Sequence, residues 1–127
     1  MADEVLIQVD DRRLATVTLN RPEVNNAYNE AMLRGVHAAV DAAESSLATD
    51  SPVRCVVVRG NGRHFQAGAD LGWLHAVRTG SPEENLAASE LTGSAVRRLA
   101  QLDIRVIALV EGACLAVARA CSRPLMS

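Results

Sequence analysis

The residues best suited to chemistry lie in one stretch, Gly60-Asn61-Gly62-Arg63-His64-Phe65-Gln66-Ala67-Gly68-Ala69-Asp70-Leu71. An apolar, β-branched run from Val53 to Val58 delivers the chain to it, and a turn of Ala67, Gly68 and Ala69 leads into Asp70. Small side chains let a ligand carbonyl approach the backbone closely, and a helix opening at Asp70 leaves peptide N–H groups without internal partners. Donors of that kind, aimed at an oxygen on which negative charge develops, make an oxyanion site. The same residues also read as a tight turn with Asp70 as a helix cap and no ligand.

Other chemistry-bearing residues are scattered. His37, His64 and His75 are separated along the chain without a nearby acid pair or nucleophilic serine, so they compose no triad and read as surface or core residues. Gly60-Asn61-Gly62 lacks the later glycine and the Lys-Ser/Thr pair of a phosphate loop. Cys55, Cys114 and Cys121 have no metal-ligand spacing, and no metal site is expected. An odd cysteine count without a cationic signal-peptide head points to a reduced, cytoplasmic protein.

The 127 residues suffice for one domain, and 49% apolar with 22% charged residues excludes a disordered tail. A net charge of −2 argues against a nucleic-acid binder, and no apolar run approaches membrane-spanning length. Three aromatic residues, Tyr28, Phe65 and Trp73, are too few for a base- or sugar-stacking surface.

The elements that must position the loop follow from periodicity. Val5–Val9 and Leu14–Leu19 read as strands joined through a hairpin at Asp10-Asp11-Arg12, and Pro22 ends the second. A helix capped by Asn26 or Asn29 presents Met32, Val36, Ala39, Val40, Ala43 and Leu47 on one face. Val53 to Val58 reads as a strand covered on both faces, and Asp70 to Val77 as one or two helical turns. Ser81-Pro82-Glu83-Glu84 predicts a capping box opening a helix to about Leu102, with Leu86, Leu91, Ala95, Leu99 and Leu102 near one side. A further buried strand is expected at Val106 to Val110. Alternation after the hairpin indicates an α/β layer fold with parallel pairing.

Leu19-Asn20-Arg21-Pro22-Glu23 with Asn26-Ala27, Val56-Val57-Val58-Arg59-Gly60, and Phe65-Gln66-Ala67-Gly68-Ala69-Asp70-Leu71 together resemble the enoyl-CoA hydratase/isomerase (crotonase) superfamily. Val106-Ile107-Ala108 and Glu111-Gly112-Ala113-Cys114 continue the resemblance in order. It implies a ββα spiral of which residues 1–114 are about the N-terminal half. It further implies that the Ala69 N–H is one of two donors to a thioester oxygen. Glu23, Val24, Ala27, Ala67, Gly68, Asp70 and Leu71, with Ala69, would line the coenzyme A site. Many relatives carry Lys or Arg where Glu23 stands, so no cationic help to the CoA phosphates is implied there. The position of Glu111 is not the family's acid/base. The partner implied is an acyl-CoA thioester, with coenzyme A arriving as part of the substrate and no separate cofactor, and the assembled form is a homotrimer or hexamer. Asp70-Leu71-Gly72-Trp73-Leu74 with the Glu84–Leu102 segment is similar to methylglutaconyl-CoA hydratases; isomerase and thioester-hydrolase reactions occur in the same family.

Residues 115–127 do not continue the resemblance. They read as an alanine-rich helix broken by Pro124 or, shifted by one base, as codons compatible with Gly-Gly-Gly-Thr-Gly-Leu-Leu-Ala-Ala, like the family's continuation. All thirteen basic residues are arginine, as a GC-rich coding sequence would give. The expectation is a truncated chain lacking the second oxyanion donor and the catalytic glutamate segment. It would be inactive, at most a CoA-binding or subunit-interaction remnant, with Val106 to Val110 left as an unpaired, poorly soluble edge.

Overall fold

In the computed structural model, which describes residues 3–114, four strands form one mixed sheet in the order β1-β2-β3-β4. Strands β1 (Val5–Val9) and β2 (Leu14–Leu19) are antiparallel, with Val5 opposite Leu19 and Val9 opposite Ala15. Their hairpin is held by Asp10, whose carboxylate accepts from the N–H groups of Arg12 and Leu14 while Arg13 turns at a φ of 64°. Strand β3 (Cys55–Gly60) runs parallel to β2, and β4 (Arg105–Leu109) parallel to β3. The crossovers are helix α1 (Glu30–Ser46) and the pair α2 (Leu71–Arg78) and α3 (Pro82–Gln101).

Each helix begins on an identifiable cap. Asn29 accepts from the Met32 N–H to open α1, which settles the choice between the two asparagines and frees Asn26 for another role. Asp70 accepts from the Trp73 N–H, and Ser81 and Glu84 complete the capping box of α3. Ala15, Val17, Val56 and Val58 point from the sheet toward Ala39, Val40 and Ala43 of α1 and the Leu99–Leu102 end of α3. Leu19, Met32, Leu33, Val36 and Ala95 extend this core toward α2. A residual apolar void of about 70 Å³ remains between the sheet, α1 and α3.

Several expectations are corrected by the way burial falls. Helices cover one face of the sheet, so β3 alternates buried Val56 and Val58 with half-buried Cys55 and Val57 and exposed Arg59 instead of being covered twice. Strand β4 is no buried strand: it pairs with β3 alone among the described residues, and Ile107 and Leu109 are 43% and 53% exposed. Leu86 is 71% exposed because the first half of α3 stands away from the core, and Leu47 lies exposed just beyond the end of α1. The α/β class and parallel pairing stand, and the proposed tail helix and shifted reading at 115–127 lie outside the described residues.

Candidate functional site

The three parallel strands end in step: β2 at Leu19, β3 at Gly60, β4 at Leu109. Every segment singled out for chemistry follows one of these carboxyl ends, the place where open α/β sheets generally bind ligands. There the loops pair with one another as short parallel bridges, Tyr28 with Ala69 and Gln66 with Cys114. Ala67 to Asp70 is thereby set beside Ala27 to Asn29, and the start of the same loop beside Glu111 to Cys114.

Hydrogen bonding around Ala69 is asymmetric. The Tyr28 N–H donates to the Gly68 carbonyl at 2.9 Å, and the Asp70 N–H donates to the Tyr28 carbonyl at 2.8 Å. Between them the Ala69 N–H makes no hydrogen bond to any described residue, although Ala69 is only half exposed. Gly68 holds a φ of 93°, a conformation costly for any residue with a Cβ, and Ala69, as the bridge residue, directs its own N–H to the side away from Tyr28. A free, half-buried N–H in a bed of Ala, Gly and Ala is an unfilled donor that a carbonyl oxygen can satisfy. Among the described residues neither of two cavities is lined by it: an apolar one lies against Tyr28 and Gln66, and an open groove lies between α1, α2 and α3.

A buried polar knot holds this geometry. Asn26 is fully buried (0% exposed); its Oδ1 accepts from the Arg21 N–H at 2.8 Å, and its Nδ2 donates to the carbonyls of Asn61 and His64, both at 2.9 Å. Asn26 sits at a φ of 59°, which asparagine tolerates better than most residues. Arg21 donates through Nη1 to the Ala27 carbonyl at 2.6 Å and lies 3.2 Å from Asp70, while its Nε meets Glu4 at 2.9 Å. One guanidinium therefore ties the start of β1, the 20s loop and the cap of α2. The Trp73 N–H and, after it, Arg21 hold the Asp70 carboxyl below its usual pKa range, so it is an ionised cap and not a proton carrier near neutrality.

The sequence-predicted residues divide accordingly. Ala27, Ala67, Gly68, Ala69 and Asp70 are brought together by these bridges. Glu23 and Val24 occupy a single 3-10 turn, Pro22–Val24, whose Val24 carbonyl accepts from the Ala27 N–H. Leu71 is 80% exposed at the start of α2, and Val24 is also exposed, so each of the two loops joined by the Tyr28–Ala69 bridge is followed or preceded by an uncovered apolar side chain. Glu111 contributes its carbonyl to the Phe65 N–H.

Sequence reasoning gave Arg21, Asn26 and Gln66 no role in building the site, although all three stand in the segments that carry the family resemblance and Asn26 is an asparagine more than a helix cap requires. It also passed over His64, whose Nδ1 accepts from the Ala113 N–H at 2.9 Å. Gly112 packs on that ring at a φ of 64°, where an added Cβ would lie against the Arg63 carbonyl. His37 does meet a serine, Ser94 Oγ at 3.1 Å from Nε2, but Arg98 Nη1 lies 3.1 Å from Nδ1. A guanidinium can only donate, so Nδ1 is the acceptor and Nε2 carries the proton. His37 therefore has no lone pair for Ser94, and the pair joins α1 to α3 without forming a nucleophile. Among the described residues no cluster of His, Cys, Asp and Glu could hold a metal, and no described helix is long and apolar enough to cross a membrane.

The family model of enoyl-CoA hydratase/isomerase matches residues 10–118. The chain is 34% identical over 110 residues to the 1,2-epoxyphenylacetyl-CoA isomerase of Escherichia coli, covering 86% of this chain and 40% of that protein. It is 32% identical over 111 residues to the trans-2-decenoyl-[acyl-carrier-protein] isomerase of Streptococcus mutans, covering 87% of this chain and 40% of that one. The crystal structure of an enoyl-CoA hydratase/isomerase from Xanthobacter autotrophicus superposes with a TM-score of 0.83 at 33% identity, covering 95% of this chain and 43% of that chain. The chain thus spans about two-fifths of the length of these relatives.

Proposed function

The chain belongs to the enoyl-CoA hydratase/isomerase family, with a crotonase fold over its described part, and from that premise we propose that it binds acyl-CoA thioesters with the thioester oxygen on the Ala69 N–H. The observation that carries this reading is that unpartnered amide, directed away from Tyr28 by the Tyr28–Ala69 bridge and placed at the carboxyl end of the parallel strands. As an enolate forms, charge on the thioester oxygen grows and the bond to a preorganised donor strengthens. Exposed Leu71 and Val24, with Ala27 and Ala67, form an apolar bed for the pantetheine arm, and Glu23 lies toward the nucleotide end.

Syn hydration of an enoyl-CoA is the reaction proposed for the whole family site, with double-bond isomerisation and thioester hydrolysis as alternatives drawing on the same oxyanion. A branched-chain enoyl-CoA of the methylglutaconyl type is the substrate class favoured by the Asp70–Leu74 segment. No cofactor is needed beyond the CoA of the substrate. The same reading carries a cytoplasmic protein and a homotrimer or hexamer. It assigns the described part binding and polarisation without efficient turnover: Asp70 is spent on the cap of α2 and on Arg21, and His64 on Ala113.

The test is a titration of the 15N-labelled chain with acetoacetyl-CoA and, separately, with CoA. The Ala69 amide proton is expected to move downfield with the thioester and not with CoA alone. An Ala69 resonance indifferent to saturating thioester sinks the reading. An enoyl-CoA hydratase assay tests the second part, since turnover well above background would remove the claim of binding without efficient turnover.

A further inference from the structure

We propose that Gln66 is a positioning residue that both aims and polarises the Ala69 donor. The inference rests on the thioester reading for its consequence but on separate atoms for its geometry. The Ala69 N–H and the Gly68 carbonyl are the two ends of one peptide unit. That carbonyl accepts twice, from the Tyr28 N–H at 2.9 Å and from Gln66 Nε2 at 2.8 Å. Gln66 Oε1 in turn accepts from the Gly68 N–H at 3.0 Å, and Nε2 also donates to the Asn26 carbonyl at 3.0 Å. Two acceptors on one side and a donor on the other leave the amide a single orientation. Gln66 is 5% exposed, so these bonds form away from bulk water, and no buried side-chain N or O is left unpaired among the described residues.

A planar peptide transmits what happens at its oxygen to its nitrogen. Each hydrogen bond accepted by the Gly68 carbonyl draws electron density from the nitrogen and makes the Ala69 N–H a stronger donor, by roughly 10–30% per bond. The same clamp closes a ring from the Gln66 side chain across both faces of Gly68, which fixes the peptide plane that Gly68 alone would leave loose. The donor is thus built before a ligand arrives, as electrostatic stabilisation requires. Nothing in composition or spacing marks Gln66, since its neighbours Ala67 and Gly68 carry the recognisable pattern.

The experiment compares the full chain with Gln66→Met, which keeps the volume and removes both ends of the clamp, and with Gln66→Glu, which keeps the acceptor toward Gly68 N–H. Two readouts are taken. The 13C shift of the Gly68 carbonyl reports the clamp without ligand, and is expected to move upfield in both variants. The enolate absorbance of bound acetoacetyl-CoA reports oxyanion stabilisation, and is expected to fall with about a tenfold loss of affinity for the thioester. Affinity for CoA itself is expected to change less than about twofold, which a general loss of structure would not allow. An unchanged Gly68 shift, or equal losses for CoA and thioester, overturns the proposal. A wild-type chain that leaves the acetoacetyl-CoA spectrum untouched overturns the thioester reading instead, and the carbonyl shift then decides on Gln66 alone.

Discussion

Removing the Asn26 side chain tests the polar knot most directly. In Asn26→Ala three partners lose their bond at once, the Arg21 N–H and the carbonyls of Asn61 and His64. Each group left unsatisfied in a buried site costs about 1–3 kcal/mol, and water or relaxation recovers part of the sum. Alanine at the φ of 59° adds about 1 kcal/mol of backbone strain. The expected loss is therefore about 4–6 kcal/mol, against a total stability of roughly 6–19 kcal/mol for 127 residues. Trp73, the single tryptophan, packs edge-on against Tyr28 at 5.8 Å and reports unfolding by fluorescence. With a urea slope of about 2 kcal/mol per molar, the midpoint falls by about 2–3 M, or the variant is unfolded outright. Asn26→Asp supplies the sign. Its carboxylate faces two carbonyl oxygens, so its folded pKa rises above the unfolded value of about 3.9. Its stability deficit is then smallest below that value, where the protonated acid can donate, and grows as pH rises through the folded pKa. A midpoint within about 0.5 M of wild type for Asn26→Ala, or an Asn26→Asp deficit that shrinks from pH 4 to pH 7, refutes the knot.

Three further outcomes follow from other contacts. Gly112→Ala forces a Cβ against the Arg63 carbonyl at a φ of 64° and should cost about 2–4 kcal/mol by urea denaturation. Asp70→Ala should cost about 1 kcal/mol in the same assay, while Asp70→Asn keeps the cap and loses only the Arg21 partner. Because the folded Asp70 pKa is lowered, its contribution is present above about pH 4 and is lost as pH falls through the folded value. The Tm of Asp70→Asn should accordingly fall less steeply than that of wild type below pH 4. Arg98→Met breaks bridges to the exposed carboxylates of Asp41 and Glu44, whose share should be under about 1 kcal/mol and shrink in molar salt, and also removes the bond to His37 Nδ1, so a salt-insensitive remainder of about 1 kcal/mol is expected; a Tm drop that vanishes entirely in molar salt would contradict it.

Local signals carried most of the fold. Ser81-Pro82-Glu83-Glu84 wrote its own capping box, and the alternation in Leu14–Leu19 placed β2 to the residue, because both are settled by atoms a few positions apart. Burial was less legible because it depends on what lies opposite. Val106-Ile107-Ala108 has the composition of a covered strand, yet Ile107 is open because the helices pack on the other face. Leu86 fits a helical stripe that the core does not reach. Small residues before a helix start pointed to open peptide N–H groups, and the family resemblance pointed to Ala69 among them, whereas the contacts that support that turn were not legible. Arg21 and Asp70 are 49 positions apart, and Asn26 and His64 38, so no window along the chain contains both partners.

That separation explains why the Asn-Arg-Pro and Ala-Gly-Ala-Asp segments function as one unit. Neither is held by itself: the second needs the Tyr28 N–H to donate to the Gly68 carbonyl and the Asn26 carbonyl to accept from Gln66 Nε2, and the first needs the Asn61 and His64 carbonyls to anchor Asn26. An unpaired amide is costly to keep half-buried, so the surrounding bonds must be strong enough to deny it every internal acceptor. The neighbouring carbonyls have partners of their own: that of Gly68 in Tyr28 and Gln66, that of Tyr28 in Asp70, and that of Ala27 in Arg21. The Gly68 carbonyl stands at the far end of the same trans peptide and cannot accept from the Ala69 N–H, so the two bonds it accepts fix the direction of that N–H instead of competing for it.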